Sequence, residues 1–222
     1  MSGLTAIVAG ATGLVGGECL RRLLEEPAYA RVIVVARRDL GSAGKHRKLQ
    51  QVTVEFDRLG DVRDRLRGDH VFCALGTTIR KAGSQARFRV VDQDYPLRLA
   101  ELTRQGGARH FSIVSALGAS RRSPFFYSRV KGEVEEALRE MGWPSLAILR
   151  PSVIAGERTE SRPLERLGER LLGFAPATWR PVAATDIGGA MVATALREPG
   201  GVTVIESKDI AAAAKPAPAR RR

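Results

Sequence analysis

Cysteine, histidine and aromatic side chains are scarce in this chain, and each shortage removes a class of function. The two cysteines, Cys19 and Cys73, both fall inside apolar patterns, so they read as small core residues and neither as disulfide partners nor as metal ligands. The three histidines, His46, His70 and His110, are scattered with no ligand spacing, and no metal site is expected. No apolar run approaches the roughly 20 residues of a membrane span, and the N-terminus lacks a signal-peptide pattern. The reading is therefore a protein without a membrane segment, with the cytoplasm as its default location. Acid is also in short supply, and the net charge is +12. Such a balance suits an anionic partner, but aromatics total only 5% and do not interleave with the basic residues. Nucleic acid is thereby disfavoured against a phosphorylated small molecule. The alternative is a plain basic surface plus the C-terminal tail, where Lys215, Arg220, Arg221 and Arg222 supply four positive charges.

What is present is an ordinary globular composition, 44% hydrophobic and 27% charged. Apolar runs at Leu4–Ala9, Val32–Ala36, Val52–Phe56, Val71–Leu75, His110–Val114 and Ser145–Leu149 alternate with helical patterns. The helices are expected at 14–24, 61–67, 87–105 and 126–141, and Gly41–Gln51 and Ile79–Gln85 are expected as loops, the first with a short helix. Gly106-Gly107 sits where helices stop. A last helix at 186–196 and a strand at 202–205 should return to the sheet. Continuous rather than alternating apolar runs imply a parallel sheet covered on both faces, and right-handed crossovers make it doubly wound. The fold class is thus α/β, Rossmann-type, in a single domain over residues 1–210. Residues 151–200 would form a small C-terminal lobe on the substrate side, and 211–222 a disordered basic tail.

In that architecture ligands bind at the carboxyl ends of the strands. Leu4–Ala9 enters a glycine-rich turn at Gly10-Ala11-Thr12-Gly13 and then a helix. The glycines let the backbone approach closely, while free N–H groups at the helix start face an anion. An ordinary tight turn uses the same residues. The second strand ends at Ala36-Arg37-Arg38, where an acid would accept from a ribose 2′-hydroxyl. Ala36 leaves room, and a guanidinium grips a 2′-phosphate, which favours NADP(H). Solvated loop charges are the alternative for Arg37 and Arg38. Two readings are likewise open for Asp57, acceptor for an adenine amino group or loop cap.

Tyr127 and Lys131 lie at i and i+4 on the helix after strand five, hence on one face. A phenol has a free pKa near 10, and a neighbouring ammonium brings it toward the range useful for proton transfer. Ser115, ending strand five, would hydrogen-bond a substrate carbonyl that Tyr127 protonates. The plainer reading leaves Tyr127 as a core aromatic and Lys131 as a surface charge.

With these residues in place the chain resembles an atypical, compact short-chain dehydrogenase/reductase over about residues 3–206, nearest to the Tat-interacting-protein-like subgroup. The likeness rests on Gly10 to Gly16 (including Leu14 and Val15), Leu75-Gly76-Thr77-Thr78, Lys81-Ala82-Gly83, Val91-Asp92-Gln93-Asp94-Tyr95, Tyr127 with Lys131-Gly132-Glu133-Val134-Glu135, and Glu160-Ser161-Arg162-Pro163. The resemblance implies an NADP(H)-binding Rossmann domain with a Ser115, Tyr127, Lys131 site. It further implies that Leu75, Gly76 and Thr77 pass beside the cofactor ribose, and that Pro151 and Val153 flank the nicotinamide. A small carbonyl or alcohol would be the substrate. Helices after strands four and five would allow a homodimer. Regulators also occur among such proteins, which makes a protein partner the second reading. One departure stands out: many members carry a relay asparagine where this chain has Asp92.

Overall fold

The computed structural model describes residues 3–41, 45–155 and 179–215. Seven parallel strands form the central sheet: β1 (Leu4–Ala9), β2 (Tyr29–Ala36), β3 (Leu49–Thr53), β4 (His70–Cys73), β5 (His110–Val114), β6 (Ser145–Arg150) and β9 (Gly201–Glu206). Their spatial order is β3-β2-β1-β4-β5-β6-β9. The order reverses between β1 and β4, which is where a doubly wound sheet opens a crevice. β1, β4 and β5 are buried almost throughout because helices cover both faces, and this is why they read as unbroken apolar runs. A two-stranded sheet, β7 (Ile154–Ala155) with β8 (Val182–Ala183), stands beside the main one.

One face of the sheet, with Val8, Val34, Phe72 and Leu149, packs on helix α1 (Leu14–Glu25) and on α6 (Ala184–Arg197) through Leu23, Ile187 and Met191. The other face, with Ile7, Ile33, Phe111 and Ile148, packs on α4 (Tyr95–Gln105) and α5 (Phe126–Glu140) through Leu99, Val134 and Leu138. Cys19 and Cys73 are free and fully buried, one in each core.

Several expected boundaries move. β2 starts at Tyr29, three residues early, because Tyr29 is itself a core residue. β3 covers 49–53 rather than 52–56: its pairing sets Val35 against Val52, and Phe56 and Leu59 then turn inward on a 3-10 helix, Phe56–Arg65. That element replaces the helix expected at 61–67. The loop at 79–85 contains a short helix, α2 (Ile79–Ala82), capped by the Thr78 hydroxyl and closed by Gly83 at φ 79°.

The helix expected at 87–105 is three consecutive pieces: α3 (Gln85–Arg89), a π-helical turn (Val90–Asp94) and α4. Pro96 has no N–H to give the Asp92 carbonyl, and the wider turn, closed by Tyr95 N–H on the Val90 carbonyl, absorbs the missing bond. Residues 211–215, expected in the tail, continue the fold: Ile210 is fully buried and opens α7 (Ile210–Ala213). The stretches at 157–163, 164–174 and 216–222 lie outside the described residues.

At the amino end of the strands lies a polar network that the scattered histidines did not announce. The Tyr29 hydroxyl donates to His70 Nδ1 at 2.7 Å, and His70 Nε2 donates to Glu198 at 2.6 Å. Arg109 donates to Glu198 and to Asp69, both at 2.8 Å, and Asp69 accepts from the Thr5 amide. Alongside, His110 holds a serine hydroxyl at each ring nitrogen, Ser145 at 2.8 Å and Ser112 at 2.7 Å. The network fastens the end of α6, where Glu198 adopts φ 40°, to the starts of β4 and β5.

Candidate active site

The parallel register aligns the strand ends. Ala74 N–H bonds the Ala9 carbonyl, Ser115 N–H the Leu149 carbonyl and Leu117 N–H the Pro151 carbonyl. The residues that follow β1, β2, β4, β5 and β6 therefore meet along one edge of the sheet.

The glycine turn is built by close backbone approach. Gly10 has φ 90°, and a Cβ there would sit 2.4 Å from the Ala74 carbonyl oxygen; a Cβ on Gly16 would sit 2.0 Å from that of Gly10. No L side chain fits either place. The result presses the start of α1 against the β1 turn, and Gly13, its N-cap, gives no side-chain cap. The first N–H groups of α1, from Leu14, Val15 and Gly16, are thus left without a side-chain acceptor beside exposed Thr12 and Gly13, as an anion site requires. This geometry fits a dinucleotide pyrophosphate.

Past β2, Arg37 and Arg38 are exposed at the same edge, and Ala36 between them and the core is small and buried. Asp57 is exposed and accepts from the Tyr95 hydroxyl, whose pKa is raised by burial and then by that carboxylate. Phe56 stacks on Tyr95 with ring centroids 5.4 Å apart. Past β6, Pro151 is buried while Val153 is exposed and its carbonyl holds the Val182 amide.

Tyr127 and Lys131 share one face of α5, as their spacing requires. The Tyr127 ring packs on fully buried Phe88, centroids 5.6 Å apart, and is 38% exposed, so it is no core aromatic. Lys131 is buried, and so no surface charge. Its ammonium lies 2.7 Å from Asp92 Oδ1, while Asp92 Oδ2 accepts from the Thr77 amide at 2.8 Å. Burial pulls the ammonium's pKa down, but Asp92 and Tyr127 together hold it above the ordinary lysine value. The Asp92 carboxylate thus joins the β4 turn to α5. A second pair, Arg89 with Glu133 at 2.5 Å, ties the start of the same π-helical turn to α5.

Ser115 lies at the strand end, but its hydroxyl donates to Glu135 Oε1 at 2.5 Å. Glu135 is buried and takes two hydrogen bonds from Arg150, at 2.6 Å and 3.0 Å. Arg150 also bonds Glu206 at 2.9 Å. Sequence reasoning gives Glu135 and Arg150 no role in the site, and it marks Asp92 only as standing at the place of a relay asparagine. Signals for two of them existed: Glu135 extends the Tyr127, Lys131 stripe by one more turn, and Pro96 four residues on marks the bulge that turns Asp92 inward.

Comparison with known proteins agrees with this geometry. The NAD(P)H-binding family matches residues 10–199. Protein HTATIP2 of Rattus norvegicus is 37% identical over 181 residues, covering 81% of this chain and 74% of that protein. The mitochondrial protein fmp52 of Aspergillus clavatus is 35% identical over 171 residues, covering 75% and 73%. Among solved structures, WbmH of Bordetella bronchiseptica in complex with NAD+ superposes with a TM-score of 0.70 at 15% identity, over 92% of this chain and 75% of that one, a likeness of fold.

These relatives correct one expectation. The fungal relative is mitochondrial by name, so a cytoplasmic default drawn from a missing signal pattern does not stand. No helix among the described residues is long and apolar enough to cross a membrane. By its family match and its relatives, the chain belongs to the NAD(P)H-binding proteins, as an atypical short-chain dehydrogenase/reductase of the Tat-interacting-protein-like subgroup.

Proposed function

We propose that the chain is an NADP(H)-dependent oxidoreductase acting on a small carbonyl or alcohol. The observation that carries this reading is a partly exposed Tyr127 one helical turn from a buried, charged Lys131, at the crevice formed by the glycine turn. Bound NADPH supplies the hydride for the carbonyl carbon. Gly10, Thr12, Gly13, Leu14, Val15 and Gly16 hold the pyrophosphate by backbone N–H groups. Arg37 and Arg38 grip the 2′-phosphate, Asp57 faces the adenine, and Leu75, Gly76 and Thr77 line the ribose. Pro151 and Val153 flank the nicotinamide, and Lys131 holds its ribose. Tyr127 gives its proton to the carbonyl oxygen.

Ser115 takes an altered part. Glu135 holds the Arg150 guanidinium through both of its oxygens and accepts from Ser115, so the serine proton points to it. Toward the crevice Ser115 offers lone pairs, which suit the hydroxyl of an alcohol or of Tyr127 better than a carbonyl oxygen.

Two contacts favour a second reading, a weakly catalytic NADPH-binding regulator that acts through a protein partner. Asp92 offsets the charge of Lys131, and Glu135 occupies the Ser115 proton. Substitution of Tyr127 by Phe separates the two. For the enzyme, turnover over a carbonyl panel should fall at least about a hundredfold while NADPH affinity stays within about twofold. Tight NADPH binding by the wild-type chain without turnover on any carbonyl supports the regulator instead.

A further inference from the structure

Asp92 and Glu135 are the buried acids of the crevice, each 1% exposed, while Asp57 is exposed to solvent; of the two, Asp92 is the one paired with Lys131. Its two oxygens are both committed, one to the Lys131 ammonium at 2.7 Å and one to the Thr77 amide at 2.8 Å. The pair reaches the cofactor-side surface: a Cβ placed on exposed Gly76 would lie 3.3 Å from Asp92 Oδ1 and 3.9 Å from Lys131 Nζ. Gly76, which has no side chain, thus sits directly over the two charges. The remaining titratable neighbours of Lys131 are Tyr127 and Cys73. The Cys73 thiol is pushed up to about 11, chiefly by burial, and is therefore neutral at pH 7. So the ammonium has one compensating anion among the described residues, and it is Asp92.

We infer that Asp92 is a positioning residue that sets the redox preference of the crevice, by neutralising Lys131 where the nicotinamide ring binds. The inference rests on the NADP(H) reading above. An oxidised nicotinamide ring carries a positive charge and a reduced ring carries none. Beside an uncompensated buried ammonium the oxidised form is penalised, because a like charge in a poorly screened site repels strongly. Beside a neutral Lys131–Asp92 pair that penalty disappears, and both forms bind with comparable strength. An asparagine at the same place would keep the bond from the Thr77 amide through its carbonyl oxygen but would not cancel the lysine.

The experiment is calorimetric titration of NADPH and of NADP+ into the full chain at pH 6, where a buried ammonium keeps its proton. The wild type should bind the two with dissociation constants within about threefold. Asp92→Asn should raise the ratio of the NADP+ constant to the NADPH constant about tenfold. Lys131→Met, which leaves the anion and removes the cation, should move the ratio the other way. That opposite movement keeps the inference testable if the asparagine variant does not fold, as cooperative thermal unfolding would show. A ratio within twofold of the wild type in the folded asparagine variant overturns it, as does an unmoved ratio in the methionine variant. A wild-type chain that binds neither nucleotide overturns both this inference and the cofactor reading. Binding without a shifted ratio overturns the inference alone.

Discussion

The Ser115 hydroxyl and the Glu135 carboxylate meet at 2.5 Å inside the protein, and that contact decides what the serine can do. Glu135 is one turn below Lys131 on α5 and is fixed by Arg150 from β6, so the acceptor cannot turn away without breaking a partly buried ion pair. The hydroxyl is consequently fixed in direction before any substrate arrives.

Two variants should separate the serine's chemistry from its support. Ser115→Ala removes one hydrogen bond to a charged group and should cost about 1.5 kcal/mol of stability. Its turnover should fall by about tenfold, well short of the loss expected for Tyr127→Phe. Glu135→Ala strands Arg150, which keeps Glu206 and is partly exposed, so the cost should be about 2–4 kcal/mol, below that of a fully buried pair. Urea unfolding gives both numbers. Equal losses from the two substitutions would show that Glu135 is no more than a hydrogen-bond acceptor.

Arg37 and Arg38 carry the NADP assignment. NADPH should bind at least about tenfold more tightly than NADH at low salt, as a charge-assisted contact to phosphate provides. The double substitution to alanine should bring the two within about threefold, chiefly by weakening NADPH. Because both arginines are exposed, the preference should shrink as ionic strength rises. Fluorescence titration with both nucleotides measures this, and equal affinities in the wild-type chain refute the assignment.

Much of the crevice was legible in the chain because its parts are local. The Gly10 to Gly16 turn and the Tyr127–Lys131 pair are fixed by spacings of a few residues, and the unbroken runs Ile7–Ala9 and Phe111–Val114 show a sheet covered on both faces. The contacts that change the chemistry are long-range. Asp92 reaches Lys131, and Arg150 reaches Glu135, only after α4, α5 and β6 have packed. Boundaries slipped for a related reason. Leu49 and Gln50 look like loop until they pair with Val32 and Ile33, and Tyr29 falls outside the expected strand until its hydroxyl finds His70. Pro96 was the exception, a local mark of the bulge at Asp92 that the helical periodicity around it concealed.

The paired histidines should make the fold sensitive to mild acid. His110 is fully buried and its pKa is lowered to about 3 from 6.5, first by burial and then by His70. His70 is lowered as well, chiefly by burial. In both, the native state prefers the neutral ring, so the unfolded chain binds more protons once the pH drops below about 6.5. Their stabilising contribution is full above that pH and declines as the pH falls toward 3, by up to about 1.4 kcal/mol per pH unit for His110. Glu198, whose pKa is lowered by Arg109 and His70 against the opposing effect of burial, adds a further loss below the ordinary carboxylate range. Urea unfolding at pH 8, 6 and 5 should show the decline in the wild type. His110→Asn, which keeps a polar group between Ser112 and Ser145 but cannot take up a proton, should start less stable at pH 8 and lose less on acidification. An equally steep loss in that variant would assign the acid sensitivity to other groups.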